Sequence, residues 1–515
     1  MEVKESPTPS HLLSKLSQST WTLPIVVSVA LVIPCFWQPI VSGSDLQSHL
    51  YNAWLAELIR GGSIHGLWIV HQNTNVLIDM LLSVLLKGFG VSGAERVVTT
   101  ALVLVFFWGA FHFISAIRGH AAYWLAPWLA ILSYGIIFQV GLMNFYLSCG
   151  IVLWLFAILW RQRFAGRALW AAPLLLLSYL AHPLPVVWFL CVAAYSWLAL
   201  RMRVRFQLLL FLGSVVVLFL IRGYVVAKYI ITWKSTQLMG WTGVDQSLLH
   251  GWPYLPVAVG FLLFSVVLLG MPENRWRAIA SVPGQAYFLT AIAIVVMPYS
   301  IRASTDSAWA GIISHRLSLF CAVLLLAILS RSSYRRWFLP AGLLTAAIFF
   351  AALYSDIGTA ARVEAKMEKL VKTLPAGDRV VSFADLSNGE QFGNLSAGEG
   401  GLAHLTKRVL LLNRRSPLWT HLVSRACVGH CFDYMNYEPS TGQFRIHAAP
   451  GNPAVLATYV QIDDMQSGNY LVKASDLPLY ALIRCGPGPE DIFMEPMAIG
   501  DSGATLACPG TAARQ

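Results

Sequence analysis

The chain has 515 residues, of which 57% are hydrophobic and only 12% charged, and its formal net charge is +11. Soluble globular domains carry about 25% charged residues, so this composition excludes an ordinary soluble protein. The positive charge does not indicate a nucleic-acid partner, because the arginines occur in short clusters at the ends of apolar runs. Such clusters are typical of the cytoplasmic loops of membrane proteins.

Residues 1–20 are mostly polar and form a predicted cytoplasmic N-terminal segment. The apolar run after them is about as long as a membrane-spanning helix, so it predicts an uncleaved signal anchor. Further apolar runs recur within 21–354 and predict an α-helical polytopic membrane protein with about eleven spans. The predicted spans lie near 22–41, 96–117, 121–138, 143–160, 168–181, 184–200, 207–224, 253–270, 284–300, 316–330 and 337–354.

The arginine clusters orient these spans. With the N-terminus inside, the loops at 161–167, 201–205, 275–277 and 331–336 all fall in the cytoplasm, as the positive-inside rule requires. The same orientation places the C-terminal domain outside a plasma or inner membrane. It also brings most ionisable groups near membrane depth to the outer face, where such groups are functional candidates. They are Asp45, His49, His71, Asp79, His182, Asp245, His250, Asp306, His315 and Arg316.

Residues 42–95 form a long predicted first outer loop. Apolar residues at 46, 50, 54, 55, 58 and 59 recur with helical spacing in a stretch too polar to span. They predict a helix lying at the membrane surface. Residues 76–86 are apolar but short, which predicts a buried or re-entrant helix.

The composition changes at 355, where normal charge and Gly/Pro turns begin. A helix at 355–372 and alternating strands at 379–383, 443–447 and 455–462 predict a small extracytoplasmic α/β domain over 355–515.

Four of the eight cysteines, Cys427, Cys431, Cys485 and Cys508, lie in this domain. An even number of cysteines in an oxidising compartment predicts disulfides, with three possible connectivities. Sequence proximity alone favours 427–431 and 485–508. A metal site built from Cys427, His430, Cys431 and Cys485 is the alternative.

Two features of the first loop carry a resemblance. Asp45 follows the first predicted span, and a polar block, His71-Gln72-Asn73-Thr74-Asn75-Val76-Leu77-Ile78-Asp79, lies farther along the loop. With its cytoplasmic N-terminus, many spans and outer C-terminal domain, the chain resembles the C-type superfamily of integral-membrane glycosyltransferases (GT-C). This superfamily includes protein O-mannosyltransferases and lipid A aminoarabinose transferases. The chain lacks the Pro-Pro and Asp-Glu pairs that relatives carry in this loop.

The resemblance implies transfer of a sugar from a polyprenyl-phosphate donor at the outer face of the bilayer. Asp45 would be the base that deprotonates the acceptor hydroxyl, and Arg316 the cation that holds the phosphate. Further candidates for substrate or phosphate binding are His315, His49, Asp79, His71 and His182. The cofactor stays unknown, and a divalent metal ion held by Asp45, His49 and Asp79 stays an option.

Simpler interpretations stand beside each of these. Asp45 could cap the surface helix, His182 could make only a turn, and Arg316 could only flank a span. At the level of function, the alternatives are a transporter or flippase of a lipid-linked molecule and a non-catalytic GT-C-like scaffold. The sequence has no clear internal repeat, and its polar groups lie at one face rather than mid-membrane, which favours the enzyme over the transporter.

Overall fold

The computed structural model describes most of the membrane region and only strands in the C-terminal region. The described ranges are 22–41, 44–61, 73–161, 168–249, 252–270, 279–302, 309–332 and 335–373, followed by strands between 380 and 504. Some predicted residues lie outside these ranges: His71, His250, Asp306, His430 and all four C-terminal cysteines, Cys427, Cys431, Cys485 and Cys508.

The described part of the membrane region is mostly helical. Its α-helices are α1 Thr22–Val32, α2 Ser44–Arg60, α3 Leu77–Arg118, α4 Ala126–Ser133, α5 Ile136–Val140, α6 Met143–Arg161, α7 Ala168–Ala181, α8 Pro183–Ala199, α9 Val204–Lys228, α10 Leu255–Gly270, α11 Val282–Val296, α12 Ile313–Leu329 and α13 Phe338–Lys372. Short 3₁₀ helices lie at Ile33–Cys35, Tyr123–Leu125, Ser235–Trp241, Val244–Gln246 and Trp252–Tyr254.

Within the described residues, five helical stretches are long and apolar enough to cross a membrane, by length and composition. They are Leu77–Arg118, Tyr123–Val140, Met143–Arg161, Val204–Lys228 and Phe338–Leu370. Shorter apolar helices lie at the other predicted spans. A helix therefore lies at each predicted position, whereas the number of about eleven crossings stays a prediction.

The helix predicted in the first outer loop is present as α2, which contacts α3 and buries Leu46, Leu50 and Tyr51, whereas its position at the membrane surface stays a prediction. The following stretch agrees with the prediction of two separate helices. The short helix expected at 76–86 and the helix of the span expected at 96–117 are present as two arms of α3, which non-helical backbone at Gly90 separates. We call its two arms α3a (77–89) and α3b (91–118).

The two arms of α3 fold back on each other. Ile78 N donates to Asn144 Oδ1 over 2.9 Å, and the Phe106 and Tyr146 ring centroids are 4.7 Å apart. Ile78 and Phe106 therefore both lie beside the start of α6, although a straight helix would hold them about 42 Å apart. Gly90 makes the bend with φ 65° and ψ −174°, a conformation that is essentially open to glycine alone.

Helices α3b and α6 run parallel in close contact. A Cβ added to Gly109 would lie 2.5 Å from Gly150 O, and one added to Gly150 would lie 2.9 Å from Phe106 N. Two glycines thus let the backbones approach, a common device where apolar helices pack without a hydrophobic driving force. Trp154 Nε1 donates to Val105 O over 3.1 Å and closes the contact.

Two helix boundaries differ from the predicted ones. The span expected at 121–138 is broken at Tyr134 and Gly135, between α4 and α5. The helix expected at 355–372 is confirmed, but it continues the last apolar helix as part of α13. The domain boundary predicted at 355 therefore falls inside a helix whose composition changes from apolar to charged.

The strands form several small sheets. They are β1 Ile230–Thr232, β2 Ser300–Arg302, β3 Trp309–Ala310, β4 Val380–Ala384, β5 Met435–Glu438, β6 Gln443–Ile446, β7 Gln461–Met465, β8 Gly468–Leu471, β9 Tyr480–Arg484, β10 Ile492–Pro496, β11 Ile499–Gly500 and β12 Gly503–Ala504. Strands β1, β2 and β3 form one antiparallel sheet in the membrane region.

In the C-terminal region, β4 pairs with β9 in parallel and β9 with β10 antiparallel. A second sheet has the order β11-β12-β6-β5, and β7 pairs with β8. Strands β4 and β6 confirm the strands expected at 379–383 and 443–447, and β7 overlaps the end of 455–462. The α/β domain as a whole stays a prediction.

The bend at Gly90 gives a first testable prediction. Gly90→Ala should lower the thermal unfolding midpoint in detergent, because alanine adopts this backbone conformation only at a cost of about 1–3 kcal/mol. No atom lies within 4 Å of the added Cβ, so the cost is one of backbone conformation alone.

Gly88→Ala is the matched control. Gly88 has equally open surroundings and lies two residues away in the helical arm α3a. Alanine there should leave stability unchanged or raise it by about 0.5–1 kcal/mol. Equal midpoints for the two variants would contradict the role given to Gly90.

Candidate functional site

Helix α2 carries the first predicted site residues. Asp45 is its second residue, rather than the residue before it, and the Asp45 side chain lies outside the described part of the structure. His49, one turn later, is 12% exposed, and its Nδ1 lies 2.9 Å from Asp79 Oδ1 on α3a. Two residues that the sequence places 30 positions apart are thus in direct contact.

A metal ion needs more ligands than this pair supplies. Among the described residues, no three His, Cys, Asp or Glu side chains lie close enough together to hold a metal ion. Of the candidates Asp45, His49 and Asp79, only the last two have described side chains. The described groups therefore do not complete a metal site, and no step below depends on one.

Hydrogen bonds join the start of α3a to the start of α6 and to the end of α7. Asn144, at the start of α6, accepts from Ile78 N and donates through Nδ2 to Asn75 O over 3.2 Å. Val76 N donates to Leu180 O, near the end of α7, over 3.2 Å. Asp79 consequently lies at one end of the bundle, close to where α6 begins and α7 ends.

His182 lies in the turn between α7 and α8 and caps α8. Its Nδ1 accepts from Leu184 N over 3.1 Å, and its carbonyl accepts from Ser148 Oγ over 3.0 Å. The turn expected from the sequence is therefore present. The same ring also reaches a second group, since its Nε2 lies 3.0 Å from Arg316 Nη1 on α12.

Arg316 and His182 share an aromatic neighbour, Phe145. The guanidinium carbon lies 5.5 Å from the centroid of the Phe145 ring, and the imidazole meets that ring edge-on at 5.4 Å. A neutral imidazole carries one N–H and one acceptor nitrogen, and a guanidinium only donates. A neutral His182 therefore cannot accept at both nitrogens, and the tautomer that accepts from Leu184 N at Nδ1 is not the one that accepts from Arg316 Nη1 at Nε2.

A buried carboxylate forms the third cluster. Asp245, in the 3₁₀ helix Val244–Gln246, has a side chain that is only 5% exposed. Its Oδ2 lies 2.7 Å from His315 Nδ1 and accepts from Gln246 Nε2 over 3.2 Å, and its Oδ1 accepts from Ser318 Oγ. His315 and Ser318 are on α12, three residues apart and hence on one face.

Two glycines let this turn enter the bundle. Gly243 has φ 76°, and an added Cβ would lie 2.4 Å from Ala322 Cβ on α12. A Cβ on Gly135, in the break between α4 and α5, would lie 2.7 Å from Gln246 O. The turn is thus held between α12 and the broken helix, where its non-helical backbone is enclosed by protein.

The three clusters are linked by contacts and peptide bonds. His315 and Arg316 are consecutive, Arg316 contacts Phe145, and Phe145 follows Asn144, which holds the residue before Asp79. We call this region, where α3a, α6, α8 and α12 begin and α7 ends, the polar end. It brings together His49, Asp79, His182, Asp245, His315 and Arg316.

Other predicted residues are not part of this description. His71, His250 and Asp306 lie outside the described residues. The sequence did not identify Ser318, Gln246 or Asn144, whose roles depend on partners far along the chain. The spacing of His315 and Ser318 on one helix face was the only available signal, and it did not reveal Asp245.

Comparisons with known proteins add no assignment. No protein-family model matches the chain, and no curated protein or solved structure matches it either. The geometry of the polar end is therefore the basis for a proposed function.

Asn144 gives a second prediction. Asn144→Leu removes the acceptor of the buried Ile78 N, and a buried group left without a partner costs about 1–3 kcal/mol. It also removes the donor to Asn75 O, which is a smaller loss because Asn75 is exposed. We expect a lower thermal unfolding midpoint in detergent. Asn73→Leu is the control, because Asn73 is exposed in the same stretch and should leave the midpoint unchanged. A midpoint equally unchanged in Asn144→Leu would contradict the link.

Proposed function

We propose that the protein is a membrane glycosyltransferase that moves a sugar from a polyprenyl-phosphate donor to an acceptor hydroxyl at the polar end. The observation that carries the proposal is the Arg316–His182 pair, with Asp79–His49 and Asp245–His315 near it. A cation for phosphate and groups able to exchange protons are what this transfer requires. The GT-C-like architecture of the sequence agrees with it.

Arg316 is the proposed phosphate ligand. Its Nη1 lies 3.0 Å from His182 Nε2, and a guanidinium carries five N–H donors, so the same side chain can contact both the imidazole and an oxyanion. A guanidinium also matches the geometry of a phosphate group with two parallel hydrogen bonds. A phosphate bound here would lie beside both proton-exchanging pairs.

Asp45 is the proposed base. It is one helical turn before His49 in α2, and His49 contacts Asp79 at the polar end. As the acceptor oxygen bonds to C1 of the sugar, its proton passes to the Asp45 carboxylate. The C1–O bond to phosphate breaks, and its electron pair stays on the phosphate oxygen. The transfer is then balanced and needs no oxidant or reductant.

The surface of the helices suits a lipid-linked donor. Helix α9 has no buried side chain along Val204–Lys228, and apolar side chains such as Leu209, Val216 and Leu220 are exposed there. Lipid chains cover such a surface in a bilayer, so a polyprenyl chain could approach the polar end through the same layer. The donor would thus bring its phosphate to Arg316 from the membrane side.

One observation favours the transporter or flippase as a second candidate. The break between α4 and α5 and the buried turn at Val244–Gln246 are discontinuous elements, and transporters build their sites from such elements. Transporter sites lie near the bilayer midplane, however, whereas the charged pairs here gather where helices begin and end. Turnover of a donor separates the two functions.

The third prediction is a turnover assay with purified protein in nanodiscs and a panel of polyprenyl-phosphate sugars and acceptors. Asp45→Asn should reduce kcat by about 10²–10⁴-fold, as loss of a general base does. Arg316→Gln should weaken donor binding, because the neutral amide cannot replace a charged bidentate ligand. A parallel assay with a chelator tests the metal option.

Two variants control for general effects of removing a charge. Glu57→Gln alters a carboxylate of the same helix that pairs with Lys87, and Arg205→Gln alters an exposed arginine at the start of α9. Both should retain turnover. Absence of turnover with every donor, in a folded and monodisperse wild-type sample, would overturn the proposed function and favour the transporter or scaffold.

A further inference from the structure

Asp245 is placed where a carboxylate is costly. Its side chain is 5% exposed, and removing an ionised carboxylate from water costs several kcal/mol unless hydrogen bonds replace the water. Three side chains supply these bonds: His315, Gln246 and Ser318. A neutral side chain could also join the turn to α12, so a carboxylate at this position points to a use beyond that contact.

The network fixes the His315 ring. Because Asp245 is an acceptor, His315 Nδ1 carries a proton, and the ring is held in one orientation. Gln246 Nε2 also donates to the backbone oxygen of His315 over 3.0 Å, which secures the turn against the start of α12. The remaining nitrogen, Nε2, makes no hydrogen bond that the described residues account for, and the side chain is 22% exposed.

The next residue along α12 is Arg316, the proposed phosphate ligand. Successive helical residues point about 100° apart, so the His315 ring and the Arg316 guanidinium lie on neighbouring faces at the same level of the helix. A phosphate held by Arg316 would therefore lie near the first turn of α12, which also carries His315. The polar end thus combines an anion ligand with an oriented imidazole.

We propose that His315, positioned by Asp245, is the general acid that protonates the phosphate oxygen leaving the sugar. This inference rests on the proposed glycosyl transfer. As the C1–O bond breaks, the electron pair on the leaving oxygen takes the Nε2 proton of the imidazolium. His315 is left neutral, with Nδ1 still donating its proton to Asp245. A proton from solvent then restores the imidazolium, and Asp45 releases to solvent the proton that it took from the acceptor. Asp245 is a positioning residue that also stabilises the charged ring.

Several charged or titratable groups face this site. Arg316, the next residue on α12, contacts His182 at the start of α8. The Tyr299 ring, between α11 and β2, meets His315 edge-on, with ring centroids 6.0 Å apart. Lys234 Nζ lies over Tyr299 at 4.5 Å. The cations disfavour a charged imidazole, and Asp245 is the one carboxylate among these described groups that favours it, so removing Asp245 should make the imidazolium less stable.

A purely structural role for the network predicts something different. If Asp245 only pins the turn to α12, then Asp245→Asn, His315→Gln and Ser318→Ala should each lower stability, and turnover should follow the folded fraction. A general acid instead controls the alkaline limb of the pH profile of kcat/KM. A general acid is also no longer needed when the atom that leaves C1 of the sugar needs no proton.

The fourth prediction compares two donors in nanodiscs: the polyprenyl-phosphate sugar and its analogue with sulfur between C1 and phosphorus. With the oxygen donor, His315→Gln should lower kcat by about 10²–10⁴-fold and abolish the alkaline limb. With the sulfur donor, the same variant should approach the wild-type rate, because the leaving thiophosphate has little need of a proton. Asp245→Asn should show the same pattern more weakly.

Ser318→Ala is the matched variant, since it removes one hydrogen bond to Asp245 and leaves the Asp245–His315 contact in place. It should retain both limbs of the pH profile even where its unfolding midpoint falls. Equal losses of His315→Gln with both donors, or an unchanged alkaline limb, would overturn the acid role while wild-type turnover upholds the proposed function. A wild type inactive with both donors would overturn both.

Discussion

The position of the candidate site depends on one buried carboxylate, Asp245. The bonds from His315 and Ser318 join the 3₁₀ turn Val244–Gln246 to α12, and the Gln246 contact with Gly135 joins it to the break between α4 and α5. Irregular backbone in an apolar bundle must satisfy its polar groups within the protein. The turn can therefore be stable only where these partners surround it, which fixes the starting turn of α12 and the residues it carries.

The other half of the polar end depends on a bend. Gly90 folds α3a back, so that Asp79 lies near Asn144 at the start of α6, the same helix that α3b contacts through Phe106. Helix α2 runs beside α3a, with His49 on Asp79 and Glu57 on Lys87, thirty residues apart in each case. Lys87 holds the pKa of Glu57 below its usual value. Two side-chain contacts of equal sequence separation show that α2 and α3a run parallel to each other.

Sequence patterns predicted the elements better than the site. Apolar runs about 20 residues long mark helices through composition alone, so a helix lies at each predicted span. The helices before and after Gly90 were predicted as separate elements, but the sequence did not identify Gly90 as the residue that bends the chain, because a glycine inside an apolar run has the same signature whether or not the helix breaks there. The pairing of Asp245 with His315 was missed because 70 residues separate them. Spacing along the chain could place both near one face, but only packing brings particular side chains into contact.

The proposal of a transferase rather than a transporter rests on how firmly the charged side chains of the polar end are held. A transporter must release its substrate to both sides, so a site of fixed, mutually bonded charges near helix ends would hold an anion at one side only. The His182 ring is held by a hydrogen bond from the backbone N–H of Leu184, and the Asp245 carboxylate by one from the Ser318 hydroxyl, so both groups have little freedom to move. Such preorganised groups stabilise a charge that develops during a reaction, which is the largest contribution to catalysis in many enzymes. Rigidity at one end of the bundle therefore argues for chemistry at that end rather than for passage through it.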